Sequence, residues 1–519
     1  MTTASPRIPG IPRRQFLRGA ALLGGALGVL PLLGACGDDA STGGGTALTI
    51  GVKDNPANGF DPYFRSTTAQ SITRTLNSFL IWYDADLKPH GDAAESWKVS
   101  DDHRSIRMTL RDKLTFHSGA PVTTDDIVAG FKRGKDPAKG ASLTASLSAI
   151  DSCTAVDKRT VEFTFAYAVP ESLMLDTLNW FPVVEASKNT PEQMKAAPAS
   201  CGPFKLTEYV SGERIVLERF DGYWDSGKPL VDKLTYQIFD AQDTEVSALK
   251  SGSLDGATVI PARLANDVKD QFTVVTSFPG AQVDVFQMNP RQAPWDNKKM
   301  RQAMARAIDR DRIVKEVRFG FSSPVVLPYP PAGPASDPKY LDKFAFDLDA
   351  ARELWQEAGS PSGAEAAVPQ NPETLALMQV IQSDLKKIGF DLQINQMDTT
   401  TYVQKVHAGD LSCVVAPVGN SLTTPSSISA NYALSVTDNP WWGGDAPKEY
   451  AEAIEQANQA LDADSQRAAW DHLNEVYMDL CWAPGVGLRQ NIFPMNKNVT
   501  RFAVYPSDDF DMRSITRSS

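Results

Sequence analysis

The chain has 519 residues, 22% of them charged and 42% hydrophobic, with a formal net charge of −12 at pH 7. That length exceeds what one hydrophobic core organises, so two or three lobes are expected. The acidic balance repels phosphate backbones and anionic headgroups, which excludes nucleic acid and the membrane surface as partners, and beyond residue 35 no stretch of eighteen apolar residues reads as a membrane span.

Residues 1–35 read as a removable export signal. Arg7, Arg13, Arg14 and Arg18 form a basic region ahead of an apolar, Gly-rich run at 20–33, too short for a permanent span. Arg13-Arg14-Gln15-Phe16-Leu17 resembles a twin-arginine signal, read by a receptor that exports folded proteins. Leu33-Gly34-Ala35-Cys36 resembles a bacterial lipoprotein box, which implies cleavage before Cys36, diacylglycerol on its sulfur and residence on the outer face of the cell membrane. The removed piece carries four Arg and no acid, so the net charge moves from −12 to −16. Residues 36–47, polar and Gly-rich, have nothing to bury and read as a flexible tether, in which the ten residues after Cys36 reach roughly 17 Å.

The ordered body opens with Leu48, Ile50 and Val52, the alternating apolar positions of a strand, and similar strands are expected at 106–110, 161–165, 215–220, 234–239 and 283–288. Thr123 or Thr124 can cap a helix that Asp125 and Asp126 begin. A long helix is expected over 298–319. A second runs over 372–388, with Leu375, Met378, Ile381, Leu385 and Ile388 at spacings of three and four, and stops at Gly389 before a strand carrying Phe390, Leu392 and Ile394. This alternation implies α/β lobes with crossover helices. Pro/Gly-rich stretches at 324–338 and 359–372 read as surface connections.

Lipidation of Cys36 would leave Cys153, Cys201, Cys413 and Cys481. Four cysteines allow three pairings, and Cys153 with Cys201 and Cys413 with Cys481 is the arrangement expected outside the cytoplasm, although a chain that folds before export should not depend on such bonds. No C-x-x-C motif or Cys/His cluster suggests a metal, and no cofactor is expected.

Seven boxes in order over about 250 residues carry a resemblance. They are Phe60-Asp61-Pro62; Pro89 with Ala93-Ala94-Glu95-Ser96-Trp97 and Asp101-Asp102; the segment 110–133, L-R-D-K-L-T-F-H-S-G-A-P-V-T-T-D-D-I-V-A-G-F-K-R; Cys201-Gly202-Pro203-Phe204; Tyr223-Trp224 with Gly227-Lys228-Pro229; Met288-Asn289; and Arg301-Gln302-Ala303-Met304-Ala305-Arg306-Ala307-Ile308-Asp309. Together they resemble the extracytoplasmic solute-binding proteins of ABC importers, in the class with peptide- and nickel-binding members. Read from the residues alone, the boxes are structural: His117 is a hydrogen-bonded turn residue rather than a ligand, and Trp97, Tyr223 and Trp224 are packing residues.

The resemblance implies an α/β, periplasmic-binding-protein-like clam-shell of two main lobes with an inserted lobe. An end lobe would comprise 48–84, 201–285 and 489–519, an added lobe 85–200, and a third lobe 286–488, with crossings near 286–290 and 486–493. Solute would bind between the end and third lobes, and closure over it would be recognised by permease and ATPase subunits. The expected mature form is a lipid-anchored monomer. By position, Asn55, Phe60 and Tyr63 should face the cleft after the first strand, Asn289 should lie at a crossing, and Val418, Gly419, Asn420 and Ser421 should begin the solute-recognition loop. Trp441 and Trp442 could offer a stacking face. Peptide-binding members have W-x-x-D-Y-x-D-P in that loop, whose first Asp pairs the peptide's α-ammonium. Residues 418–425, V-G-N-S-L-T-T-P, hold no carboxylate, so a neutral, hydroxylated or blocked solute is expected over a free-amine peptide.

Two alternatives stand beside this reading, a secreted lipid-anchored hydrolase and an orphan sensing lipoprotein. Against the first, no G-x-S-x-G or H-E-x-x-H occurs, and the five His, at 90, 103, 117, 407 and 472, lie apart.

Overall fold

A computed structural model describes residues 46–53, 55–56, 59–64, 67–139, 143–196, 199–277, 282–419, 434–442, 444–504 and 510–518. Residues 1–35, read as an export signal with a twin-arginine-like pair, and Cys36 fall outside them.

Three larger sheets organise the described body. The first has seven strands in the order Thr273–Thr276, Ile492–Met495, Gly256–Ala257, Ala47–Lys53, Lys233–Phe239, Arg214–Arg219 and Phe204–Val210. Ala47–Lys53 runs parallel to both of its neighbours. Leu48, Ile50, Leu234 and Tyr236 are fully buried in its core, as the alternation of the first strand requires. The second sheet, of four antiparallel strands, comprises Ala94–Val99, Ser105–Leu110, Thr160–Phe165 and Ile150–Ala155. The third has five, in the order Asp391–Met397, Gly363–Pro369, Cys413–Gly419, Gln282–Met288 and Gly485–Arg489. Alternation along Gln282–Met288 sends Val283 and Val285 into one buried cluster and Phe286 and Met288 into another on the opposite face.

The helix Pro372–Ile388 forms as its spacing predicts. Asn371 caps it by accepting from the amides of Glu373 and Thr374, both at 3.0 Å, and Gly389 ends it at φ 101°, which only glycine adopts without strain. The helix expected over 298–319 is instead two. Lys298–Ala307 stops at an extended Ile308, and Asp309 caps Arg310–Glu316 by accepting from the amide of Arg312 at 2.9 Å.

Two expected surface connections are interior. Gly363–Pro369 is a strand paired on both sides, and the small residues of G-A-E-A-A-V-P conceal it because they leave no alternation to read. Val325, Val326, Leu327 and Tyr329 are buried, and the amide of Gly485 donates to the carbonyl of Val326 at 2.7 Å.

The four cysteines are free and buried, which corrects the expected pairing. Cys413 Sγ donates to the carbonyl of Glu365 at 3.5 Å and Cys481 Sγ to that of Arg301 at 3.6 Å, in different clusters. Burial pushes the thiols of Cys153 and Cys481 up to about 12, so all four are inert packing groups rather than nucleophiles.

Candidate solute-binding cleft

The register of the two large sheets fixes where a ligand can sit. In the seven-stranded sheet the carboxyl ends of Ala47–Lys53, Lys233–Phe239 and Gly256–Ala257 lie together, and Thr276 pairs with Ile492 at that same end. The chain therefore leaves and re-enters this sheet at its carboxyl end. Two hydrogen bonds tie the crossings: the amide of Ser277 donates to the carbonyl of Asn491 at 2.8 Å, and the amide of Asn491 to Ser277 Oγ at 3.0 Å. In the five-stranded sheet Gln282 pairs with Gly419 on one side and Arg489 on the other, at the carboxyl ends of Gly363–Pro369, Asp391–Met397 and Cys413–Gly419. The carboxyl ends of both sheets thus flank the two crossings. Open α/β sheets place ligands there.

The first crossing falls between Thr276 and Gln282, earlier than the sequence suggested, and this relocates Asn289. Gln282–Met288 runs away from the crossing, so Asn289 lies roughly 20 Å from it at the sheet's far end. There its Nδ2 donates to the carbonyl of Leu411 at 3.2 Å and its Oδ1 accepts from the amide of Arg291 at 3.1 Å, which joins two connections and touches no cleft.

Other expected contacts are packing residues. Phe60 is buried with its ring against Tyr209, centroids 5.1 Å apart. Tyr63 is fully buried; its hydroxyl donates to the carbonyl of Gly130 at 3.2 Å, the Arg133 guanidinium lies 4.0 Å over its ring, and burial pushes its hydroxyl up to about 12. Asp61, between them in the chain, forms a buried ion pair with Arg133, so this segment fastens the seven-stranded sheet to the four-stranded one. Trp441 packs with Tyr402, Val406 and Leu411, whereas Trp442 sits edge-on to Tyr450 and Trp482 at 5.4 and 5.0 Å in a different cluster, so the pair offers no stacking face. Large apolar rings find more favourable burial in cores than at a wet rim.

Three of the expected positions do lie at the carboxyl ends. Val418 is buried beside the crossing, Gly419 ends its strand there, and Asn55 follows the first strand. Asn55 accepts from the Tyr209 hydroxyl at 2.9 Å and donates to Ser211 Oγ at 2.6 Å. Asn420, Ser421 and the rest of the loop to residue 433 lie outside the described residues.

A charged group at the same sheet end escaped sequence reasoning. Asp284 is fully buried; its Oδ1 accepts from Arg489 Nε at 2.9 Å and pairs with Nη2 at 2.7 Å, and its Oδ2 accepts from Arg318, which also pairs with Glu373. Burial works to raise the Asp284 carboxyl, but Arg489 and Arg318 hold it below the usual carboxylate range. Burial also lowers Arg318. An Asp inside the apolar run V-D-V-F was the available signal, because a lone buried carboxylate demands a cation.

His117 is the turn residue its surroundings suggested. Its Nε2 donates to the carbonyl of Gly202 at 3.0 Å, its ring meets Phe220 edge-on, and burial lowers it to about 4. Among the described residues no group of three His, Cys, Asp or Glu could hold a metal, and no helix is long and apolar enough to cross a membrane.

Two α/β sheets between which the chain passes twice, with an inserted antiparallel lobe, define a periplasmic-binding-protein-like clam-shell. The family model for bacterial extracellular solute-binding proteins, family 5, matches residues 88–440, and the chain belongs to that family, the extracytoplasmic receptors of ABC importers. It is 26% identical over 512 residues to the dipeptide-binding protein DppE of Bacillus subtilis, covering 92% of this chain and 93% of that one. It is 25% identical over 471 residues to the glutathione-binding protein GsiB of Escherichia coli K12, covering 87% and 90%. Among solved structures it resembles the substrate-binding protein CtaP of Listeria monocytogenes, at a TM-score of 0.80 and 21% identity, and NikA of Brucella suis bound to Fe(III)-EDTA, at 0.80 and 19%. These cover 92% and 91% of this chain and the whole of each structure.

Proposed function

We propose that the mature protein is a monomeric receptor held on the outer face of the cell membrane by lipid on Cys36, after export directed by Arg13-Arg14. It captures a peptide-sized organic solute and hands it to permease and ATPase subunits, by binding and release rather than by chemistry. The observation that supports this reading is the placement of both sheets' carboxyl ends around the two crossings. A solute bridging them stabilises the closed arrangement and so shifts the population that a transporter recognises. The loop that begins at Gly419 offers no carboxylate through residue 425, so the solute does not rest on a buried ammonium.

The test is native mass spectrometry of protein purified from producing cells, followed by thermal melting of stripped protein with the solute found. A stoichiometric small molecule that raises the melting temperature is expected. A free-amine oligopeptide as tightest ligand would refute the solute class, and turnover of the bound compound would refute the binding role. Globomycin, which blocks lipoprotein signal cleavage, should leave the precursor uncut; unchanged processing would refute the anchor.

A further inference from the structure

Arg489 is the last residue of Gly485–Arg489, at the carboxyl end of the five-stranded sheet, and its side chain keeps 31% of its exposure while the carboxylate it touches keeps none. Asp284 fixes it from behind. Both Nε and Nη2 of Arg489 converge on Asp284 Oδ1, and the second oxygen is taken by Arg318. Two guanidinium groups therefore share one carboxylate. Glu373, the other acid of the cluster, pairs with Arg318 and not with Arg489. Among the described residues Arg489 Nη1 has no acceptor, and the buried Nε of Arg318 has none either. A guanidinium held through Nε and Nη2, 31% exposed and at the sheet end that flanks the two crossings, is preorganised for an oxygen anion, because the rotamer entropy of a long side chain is already lost.

Its position adds a length. Arg489, Gln282 and Gly419 stand in one row across three adjacent strands. At a strand separation of about 4.8 Å, Arg489 lies about 10 Å from the start of the recognition loop, which an extended peptide of about three residues spans.

Building on the solute-binding reading above, we infer that Arg489 receives a carboxylate of the solute, so that the cargo is an acid whose far end carries no buried ammonium: an N-blocked amino acid or peptide, or an acid of similar length. The net charge of −12 to −16 does not oppose this at contact distance, because surface charges beyond about 8 Å are screened at physiological salt.

The experiment uses mature protein, stripped of solute by unfolding and refolding, titrated calorimetrically with N-acetylated dipeptides, each as its C-terminal acid and its C-terminal amide. At least one acid should bind, tenfold or more tighter than its amide twin. Arg489→Gln should abolish that gap, Arg489→Lys should leave a smaller one, and Arg352→Gln, a side chain 40% exposed on the helix Leu348–Glu357, should leave it intact. Equal binding of acids and amides by the unsubstituted protein overturns the inference, as does an Arg489→Gln protein, folded by circular dichroism, that still prefers acids. If no acid of the panel binds while native mass spectrometry still finds a carried solute, the inference falls and the receptor reading stands. If neither is found, both fall. Should Arg489→Gln not fold, the acid-to-amide ratio of the unsubstituted protein and of Arg489→Lys decides alone.

Discussion

Replacing Asp284 with Asn removes the single negative charge on which two guanidinium groups converge. In the folded protein Asp284 is fully buried and the Arg318 side chain is 6% exposed, so neither loses its partner to water. Two unit charges about 4 Å apart at an effective dielectric of 20 attract by about 4 kcal/mol. Arg489 adds less, because at 31% exposure it rehydrates when released. Asn can still accept one hydrogen bond but cannot neutralise Arg318, whose remaining acid among the described residues is Glu373. Removing one partner of a buried pair typically costs about 3–5 kcal/mol, so the substitution should destabilise the five-stranded sheet by about that much. Urea unfolding followed by tryptophan fluorescence measures it, with Asp284→Asn combined with Arg318→Met as the check. Removing the orphaned cation should recover at least about 1 kcal/mol, since the penalty lies in the uncompensated charge. A loss under 1 kcal/mol for Asp284→Asn, or a double variant whose losses simply add, would refute the shared-carboxylate account.

Further outcomes follow from burial elsewhere. His117 has an ordinary value of 6.5 and is lowered to about 4 in the fold, so the folded state binds its proton later than the unfolded chain; stability is full above pH 6.5 and declines as pH falls towards 4, by about 3 kcal/mol in all. His117→Gln, which can keep the Gly202 bond, should flatten that part of the profile, and an unchanged slope between pH 6.5 and 4 would contradict it. Gly202→Ala should destabilise by about 1–3 kcal/mol or more, because a Cβ there would lie 2.4 Å from the Leu76 carbonyl; a variant with the parent's melting temperature would show that the junction yields. With Cys36 absent, Ellman's reagent should leave the folded protein unreacted and titrate four thiols in denaturant without reductant, whereas two or none would reveal a disulfide.

What the sequence disclosed depended on how strongly local pattern and tertiary role agreed. Pro372–Ile388 was legible because a periodic apolar face and a terminal Gly mark it, and the Asn371 cap seen in the structure falls at the same start. The break at Ile308 was not, since the apolar period runs through it and only the capping role of Asp309 reveals the second start. Gly363–Pro369 was hidden by its own composition: a strand buried by neighbours on both sides needs small residues more than alternation. Asn55, Val418 and Gly419 stand at the sheets' carboxyl ends as expected, but Phe60, Tyr63, Trp441 and Trp442 are buried, because proximity in sequence cannot distinguish such rings from core. The misplaced crossing had a single cause. Gln282–Met288 is paired along its whole length within the five-stranded sheet, and pairing partners 125 or more residues away leave no local trace.

Hydrogen–deuterium exchange of the protein carrying its co-purified solute, compared with stripped protein, tests the cleft most directly. Bound solute should slow exchange at the carboxyl ends of both sheets, around Lys53 and Asn55, Gln282, Gly419 and Arg489, while the four-stranded sheet spanning Ala94 to Phe165 stays unchanged. Protection confined to that four-stranded sheet, or to the far end around Asn289, would contradict a solute held between the two large sheets.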